Sequence, residues 1–229
     1  MGLSGLTGLS GESGLITSSN PRLLDLISWW TLDEESGQRN DSHGTNHLTD
    51  IGTVTYMAGK KANASLHDSA IPEYLSCDSN PSLQIGDIDF TIGGWMYVTD
   101  ATARRTLCGK GTSVHIIAFT SAAIYGYYGA NYSQVYGLAI LNTWTFCVFW
   151  RDKVANKIYI EINNGDGTLV SGTGTAVATN DTAFTLGLWG TNYMHGGLDE
   201  CFFYKRMLSA TERTWLYNTG AGRTYADLL

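Results

Sequence analysis

The sequence predicts an all-β protein, a sandwich or jelly roll with one short C-terminal helix behind an extended N-terminal arm. Three observations carry this. Charged residues are only 15% of the chain, while Gly (27), Tyr (13) and Trp (7) are abundant, a composition of turns and broad aromatic surfaces rather than of long helices. Short runs alternate apolar and polar residues at period two, with turn residues between them. The first fifteen residues place glycine on every third position. With 229 residues, 43% of them apolar, the chain should bury roughly 70–75% of its unfolded surface without a disulfide staple.

Residues 1–21 read as the arm and residues 22–229 as the folded domain. The arm is built almost wholly from Gly, Ser, Thr, Leu and Asn, and Pro21 closes it. Such a segment cannot bury a core of its own. Gly2, Gly5, Gly8, Gly11 and Gly14 keep the beat, and Leu3, Leu6, Leu9 and Leu15 follow four of them. Glycine at every third residue is the collagen rule, but no proline occurs in residues 1–20, and so few triplets cannot hold three strands unaided. A Gly/Ser linker is the plain alternative, yet linkers rarely carry leucine at a fixed period. The leucine row favours an arm that docks into a groove or against symmetry mates, with a reach of roughly 60 Å.

In the domain, GDIDFTIGGWMYV (86–98) sets Ile88, Phe90, Ile92, Met96 and Val98 on one parity and Asp87, Asp89, Thr91, Trp95 and Tyr97 on the other, a half-buried strand. WTFCVFW (144–150) carries Trp144, Phe146, Val148 and Trp150 on one face and Cys147 and Phe149 on the other, so it should be covered on both sides. KIYIEIN (157–163) alternates isoleucines with Tyr159 and Glu161 and runs into NNGDGT, whose Asn-Gly and Asp-Gly steps predict a hairpin with LVSG as the return strand. AFTLGLW (183–189) and LDECFFY (198–204) complete the series. Ser209-Ala-Thr-Glu212 spells a capping box, predicting a helix over about 210–218, with Gly220 as its left-handed stop.

Cys77, Cys108, Cys147 and Cys201 form no CxxC pair and sit in apolar strand contexts, so they read as buried reduced thiols. The net charge is −7 and basic residues come singly or as the pairs Lys60–Lys61, Arg104–Arg105 and Lys205–Arg206. Nucleic acid and anionic membrane therefore find no platform. No apolar run is long enough for a transmembrane helix, no signal-peptide pattern opens the chain, and Leu6 occupies the slot where a myristoylation signal needs Ser or Thr. Synthesis in a host cytoplasm is the expectation.

Several phrases together resemble a known family: SWWTLDEESGQRNDSHGTNHLTD, GKKANASL, EYLSCDSNPSL, GDIDFTIGGWMYV, NTWTFCVFWRD, IYIEINNGDGTLVS and GGLDECFFYKRMLSATERTWLYNTG. Over residues 27–220 they are similar to the laminin G-like branch of the concanavalin A-like lectin/glucanase superfamily. The resemblance implies a two-sheet antiparallel jelly roll with recognition on its groove and rim loops. It also implies a possible structural calcium where the early Asp-Ser-Gly loop meets the late Asp-Glu phrase, with Asp41 and Asp199 as candidate ligands. The alternative is that both simply cap turns. Cys201 stands where the family carries Val or Ile.

No catalytic signature accompanies the fold. The glycosidases of the superfamily place Glu-x-Asp-x-x-Glu on one strand, and here Glu161-Ile-Asn163 lacks the Asp while Asp199-Glu200 lacks a third acid. The chain is read as non-enzymatic. The distinctive stretch is YGYYGANYSQVYG (125–137), where Tyr125, Tyr127, Tyr128, Tyr132 and Tyr136 are interleaved with small and polar residues. Trp189, Tyr193 and His195 in LWGTNYMHG extend the set. Such rings either form a glycan- or partner-binding rim or pack a sheet face. Two functions follow. The first is a structural and adhesion protein of a phage virion, a capsid decoration or tail component located in the virion, anchored through its arm to other subunits and forming a homo-oligomer, possible as a trimer. The second is a lectin-like module that binds glycans.

Overall fold

The computed structural model describes residues 20–111, 114–118, 123–136, 141–165, 168–170, 172–179 and 181–229. The expected arm, with Gly2, Leu3, Gly5, Leu6, Gly8, Leu9, Gly11 and Gly14, lies outside them except for its last two residues, Asn20 and Pro21. In chain order the strands are β1 (Leu26–Trp30), β2 (Thr49–Ile51), β3 (Thr55–Ala58), β4 (Asn63–His67), β5 (Tyr74–Cys77), β6 (Phe90–Val98), β7 (Arg105–Lys110), β8 (Val114–Ala118) and β9 (Ala123–Tyr128). They continue with β10 (Asn131–Tyr136), β11 (Trp144–Asp152), β12 (Lys157–Ile162), β13 (Thr168–Val170), β14 (Gly172–Thr173), β15 (Phe184–Leu186), β16 (Leu188–Trp189), β17 (Asn192–Tyr193) and β18 (Gly196–Tyr204). The helix α1 spans Ala210–Tyr217.

Two antiparallel sheets face each other. The first runs β14-β12-β11-β6-β18-β4-β3, with β1 also paired to β18, and the second runs β13-β10-β9-β8-β7-β15-β5-β2. The buried core between them draws Trp30, Ile92, Phe149, Ile160 and Phe203 from the first sheet and Leu75, Cys108, Ile116, Ile124 and Phe184 from the second. Trp30 stacks on Phe184 across the layer, ring centroids 5.2 Å apart. This is the predicted all-β sandwich.

The outer face of the first sheet is covered too. Trp29, Trp95, Phe146, Val148, Phe202 and Tyr204 form a second apolar cluster with Leu208, Leu216 and Leu228, and Trp215, Tyr217 and Tyr225 pack on it. This explains why β6, expected half-buried, is buried on both faces: the parity carrying Trp95 meets the C-terminal segment. β11 is covered on both sides as its sequence predicts, with Phe146 and Val148 in the outer cluster and Cys147 and Phe149 in the core.

The capping box forms as read, Ser209 accepting from the Glu212 amide at 3.2 Å while the Glu212 carboxylate accepts from the Ser209 amide at 2.8 Å. The left-handed stop begins two residues earlier than read, at Asn218 (φ 50°), and Gly220 is left-handed as well (φ 88°). The hairpin expected after β12 also differs. Asn163 and Asn164 do turn left-handed, at φ 45° and 59°, but of the expected return strand Leu169 and Val170, in β13, pair with β10 in the other sheet, and only Gly172, in β14, returns to β12 opposite Ile158. The Asn163 carboxamide and backbone tie to Phe146 and extend the β11–β12 ladder, and the chain then crosses between layers. Cys108, Cys147 and Cys201 are buried thiols, whereas Cys77 is half-buried.

Gly126 sets the spacing between the layers. A Cβ there would stand 2.2 Å from the Phe149 ring. Gly126→Ala should therefore destabilise the domain by about 1–3 kcal/mol through overpacking, read as a lower urea midpoint at an unchanged slope. An unchanged midpoint would contradict this account of the interlayer contact.

Candidate ligand-binding face

Strand alternation divides the tyrosines. Along β9, Ile124 and Tyr128 enter the core and Gly126 faces Phe149, so Tyr125 and Tyr127 stand on the outer side of the second sheet. Tyr128 thus leaves the expected rim: it is fully buried, its hydroxyl donates to Gly86 O at 2.6 Å and accepts from the Val177 amide at 3.3 Å. Adjacent residues of a strand point to opposite faces, so Tyr127 and Tyr128 cannot share a surface. Tyr132 pairs with Tyr127 and is 48% exposed. Tyr136 pairs with Ala123 in the same ladder; its side chain lies outside the description.

Tyr125, Tyr127 and Tyr132 cluster, with centroids 5.6–5.9 Å apart. The row continues to a residue the sequence reading passed over. His115 pairs with Tyr127 across β8–β9 and is sandwiched between Tyr127 (4.3 Å) and Trp189 (3.8 Å), at interplanar angles of 19° and 18°. His115 is only 2% exposed. Neither of its ring nitrogens has a hydrogen-bond partner among the described residues. Burial, aided by the nearby Arg104 charge, pushes its pKa down to about 3, so the ring is neutral at physiological pH. Burial likewise raises the Tyr127 phenol above its ordinary value. The available signal for His115 was its alternation with Val114 and Ile116 in VHIIA.

Trp189 reaches this row because Gly109 has no side chain. A Cβ at Gly109 would lie 2.7 Å from Leu188 O and 3.4 Å from the Trp189 Cβ. The β16–β17 hairpin is thereby laid across the sheet. Trp189 Nε1 donates to Gly111 O at 2.8 Å, and Thr185 Oγ1 donates to Leu188 O at 2.7 Å. A groove of about 470 Å³ opens beside the row, lined by Arg104, His115, Tyr127, Gly129, Ala130 and Trp189.

The other expected rim residues stand apart from this row. Tyr193 packs near Tyr74, centroids 6.3 Å apart. His195 accepts from the Ser69 amide at 3.1 Å and lies 3.3 Å from an Asp68 oxygen.

Asp41 does not offer its oxygens to a cation. Its Oδ1 accepts from the amides of Trp29, His43 and Gly44, and its Oδ2 from that of Asn46. Asp199 accepts from the Lys61 amide at 2.8 Å and keeps its Oδ1 unpartnered among the described residues. No three His, Cys, Asp or Glu side chains among the described residues make a metal-holding group. The pair therefore does not fit the calcium that the resemblance implies. Asp199 and Glu200 are adjacent, buried carboxyls on the bulge of β18, and burial raises both above the usual carboxylate range. Glu200 accepts from the Trp29 indole.

No protein-family model and no curated protein matches the chain. Solved structures do. The binding domain of Paraclostridial Mosquitocidal Protein 1 superposes with a TM-score of 0.67 at 16% identity, covering 86% of this chain and 52% of that one. Domain 4 of AbnA, a GH43 extracellular arabinanase from Geobacillus stearothermophilus solved in complex with arabinotriose, gives 0.64 at 17% identity, covering 87% of this chain and 98% of that one. The binding domain of botulinum neurotoxin serotype G gives 0.61 at 14%, covering 85% and 51%. The chain spans about half the length of the toxin chains it matches. At these identities the likeness establishes the fold alone: a jelly-roll-like β-sandwich.

Proposed function

We propose that the chain is a non-enzymatic carbohydrate-binding protein whose ligand seats on the outer face of the second sheet, against Tyr127, His115 and Trp189. One observation carries this reading. An imidazole buried between two aromatic rings, with neither nitrogen partnered among the described residues, lines an open groove. An unsatisfied buried polar group is costly, and a sugar hydroxyl supplies both a donor and an acceptor. Aromatic rings beside it suit the apolar faces of sugar rings. That AbnA domain 4 was solved with arabinotriose supports the reading from a protein of the same fold.

The acidic residues support a binding role rather than hydrolysis. Glycoside hydrolysis needs two carboxyls flanking the scissile bond. Asp199 and Glu200 are buried, 0% and 2% exposed, and Glu161 is paired to Arg213 at 2.9 Å. Neither Asp199 nor Glu200 lines the groove beside His115.

Probed on a polysaccharide array, the full chain should bind at least one glycan, and Trp189→Ala should weaken that binding about tenfold, the scale of one lost aromatic contact. Silence across the array, or a Trp189→Ala variant that binds as the parent does, would contradict the proposal.

The proposal extends to residues 1–21 as an anchor tying this head to a larger homo-oligomeric assembly such as a phage virion. The glycine triplet beat with its leucine row supports it. Removing residues 1–20 should abolish incorporation into the particle while glycan binding persists; incorporation of the truncated chain would refute the anchor.

A further inference from the structure

The face that carries the proposed site holds a second groove, on the other side of Trp189. It has a volume of about 270 Å³ and is lined by Tyr74, Ser76, Thr182, Thr185 and Leu188, among others, with Trp189 as the shared wall. One line of paired residues runs beneath both grooves: Tyr132, Tyr127, His115, Gly109, Thr185 and Ser76 on β10, β9, β8, β7, β15 and β5. These six strands are neighbours in the sheet, so the line extends roughly 24 Å at the usual strand spacing. That is longer than any single sugar ring.

The two grooves differ in chemistry. The first presents aromatic rings and the unpartnered imidazole of His115. The second is lined by the hydroxyl-bearing residues Tyr74, Ser76 and Thr182, while the Thr185 hydroxyl at its edge is engaged by Leu188 O and Gly109 O. The wall between them is a fixed one. Gly109 leaves the space that the hairpin occupies, and the Trp189 indole is held by its bond to Gly111 O at 2.8 Å. Neither groove is enclosed, so one sugar in either would keep much of its surface in water. Two weak subsites joined by one ligand gain affinity because the second contact is made at high effective concentration.

We propose that the two grooves form one track, and that the ligand is a segment of a polysaccharide chain lying across Trp189, several sugar residues long, rather than a terminal monosaccharide. This rests on the glycan-binding reading above and adds the length of the ligand and the role of the second groove.

Isothermal titration of the full chain with cello-, xylo-, arabino- and malto-oligosaccharide ladders, from monosaccharide to hexasaccharide, tests it. At least one ladder should bind, with affinity rising about tenfold or more from di- to hexasaccharide. Ser76→Trp, which fills the second groove, should remove that gain and leave disaccharide binding unchanged, which also shows that the variant is folded. Tyr74→Ala, which deletes a wall of the same groove, serves as the second variant and should lower only the hexasaccharide affinity. Binding that is independent of chain length, or a gain that survives both substitutions, would overturn the track while leaving the glycan site intact. No binding by any ladder would overturn the track and the glycan reading together.

Discussion

The organisation of this protein depends on an asymmetry between its two sheets. Each has an inner face committed to the shared core. The outer face of the first sheet is closed by α1 and the C-terminal segment, with Trp95 stacked on Tyr217 at 5.9 Å and Trp29 against Tyr225 at 6.4 Å. Among the described residues, that cover lies on the first sheet alone. On the second sheet, among the described residues, the outer aromatic rings of β8, β9 and β10 pack on one another and on Trp189 of the β16–β17 hairpin, with Arg104 beside them. A row of aromatic side chains on that open face is therefore free of the packing duty that the tyrosines and tryptophans elsewhere perform.

His115 shows what the arrangement imposes chemically. Its neighbours in the row exclude water from its ring but offer it no donor or acceptor. Such a desolvated imidazole stays neutral and keeps both of its hydrogen-bonding capacities unused. His67 is also buried and its pKa is also lowered, to about 4, chiefly by burial, but its Nε2 lies 3.0 Å from the Ser65 hydroxyl, and only its Nδ1 is without a partner among the described residues.

Much of the fold was legible because period-two patterning reports burial directly. WTFCVFW announces its two covered faces, and the Ser209–Glu212 box announces the helix start. What was not legible depended on contacts distant in sequence. That β6 is covered twice follows from a C-terminal segment over a hundred residues away. That β13 joins the other sheet depends on its pairing with β10, more than thirty residues earlier. The candidate site was half legible. The tyrosine-rich stretch drew attention to β9 and β10, yet grouping all five rings as one rim ignored the alternation that sends Tyr128 inward. His115 was hidden within an apolar strand, and only the pairing of β8 with β9, together with the hairpin laid over Gly109, brings it between Tyr127 and Trp189. Asp41 illustrates the converse: a carboxylate that suggests a cation by its loop context is fully occupied by four backbone amides.

The central claim is that a buried, neutral and unpartnered imidazole forms the floor of a ligand surface on the open sheet. Nitrogen-15 NMR of the His115 ring, followed over pH and then with added oligosaccharide, measures this most directly. The account predicts a neutral ring throughout the range from pH 5 to 8, with ring-nitrogen shifts that change when the sugar binds. A ring that titrates near the ordinary histidine value of about 6.5, or shifts that ignore a bound sugar, would contradict it.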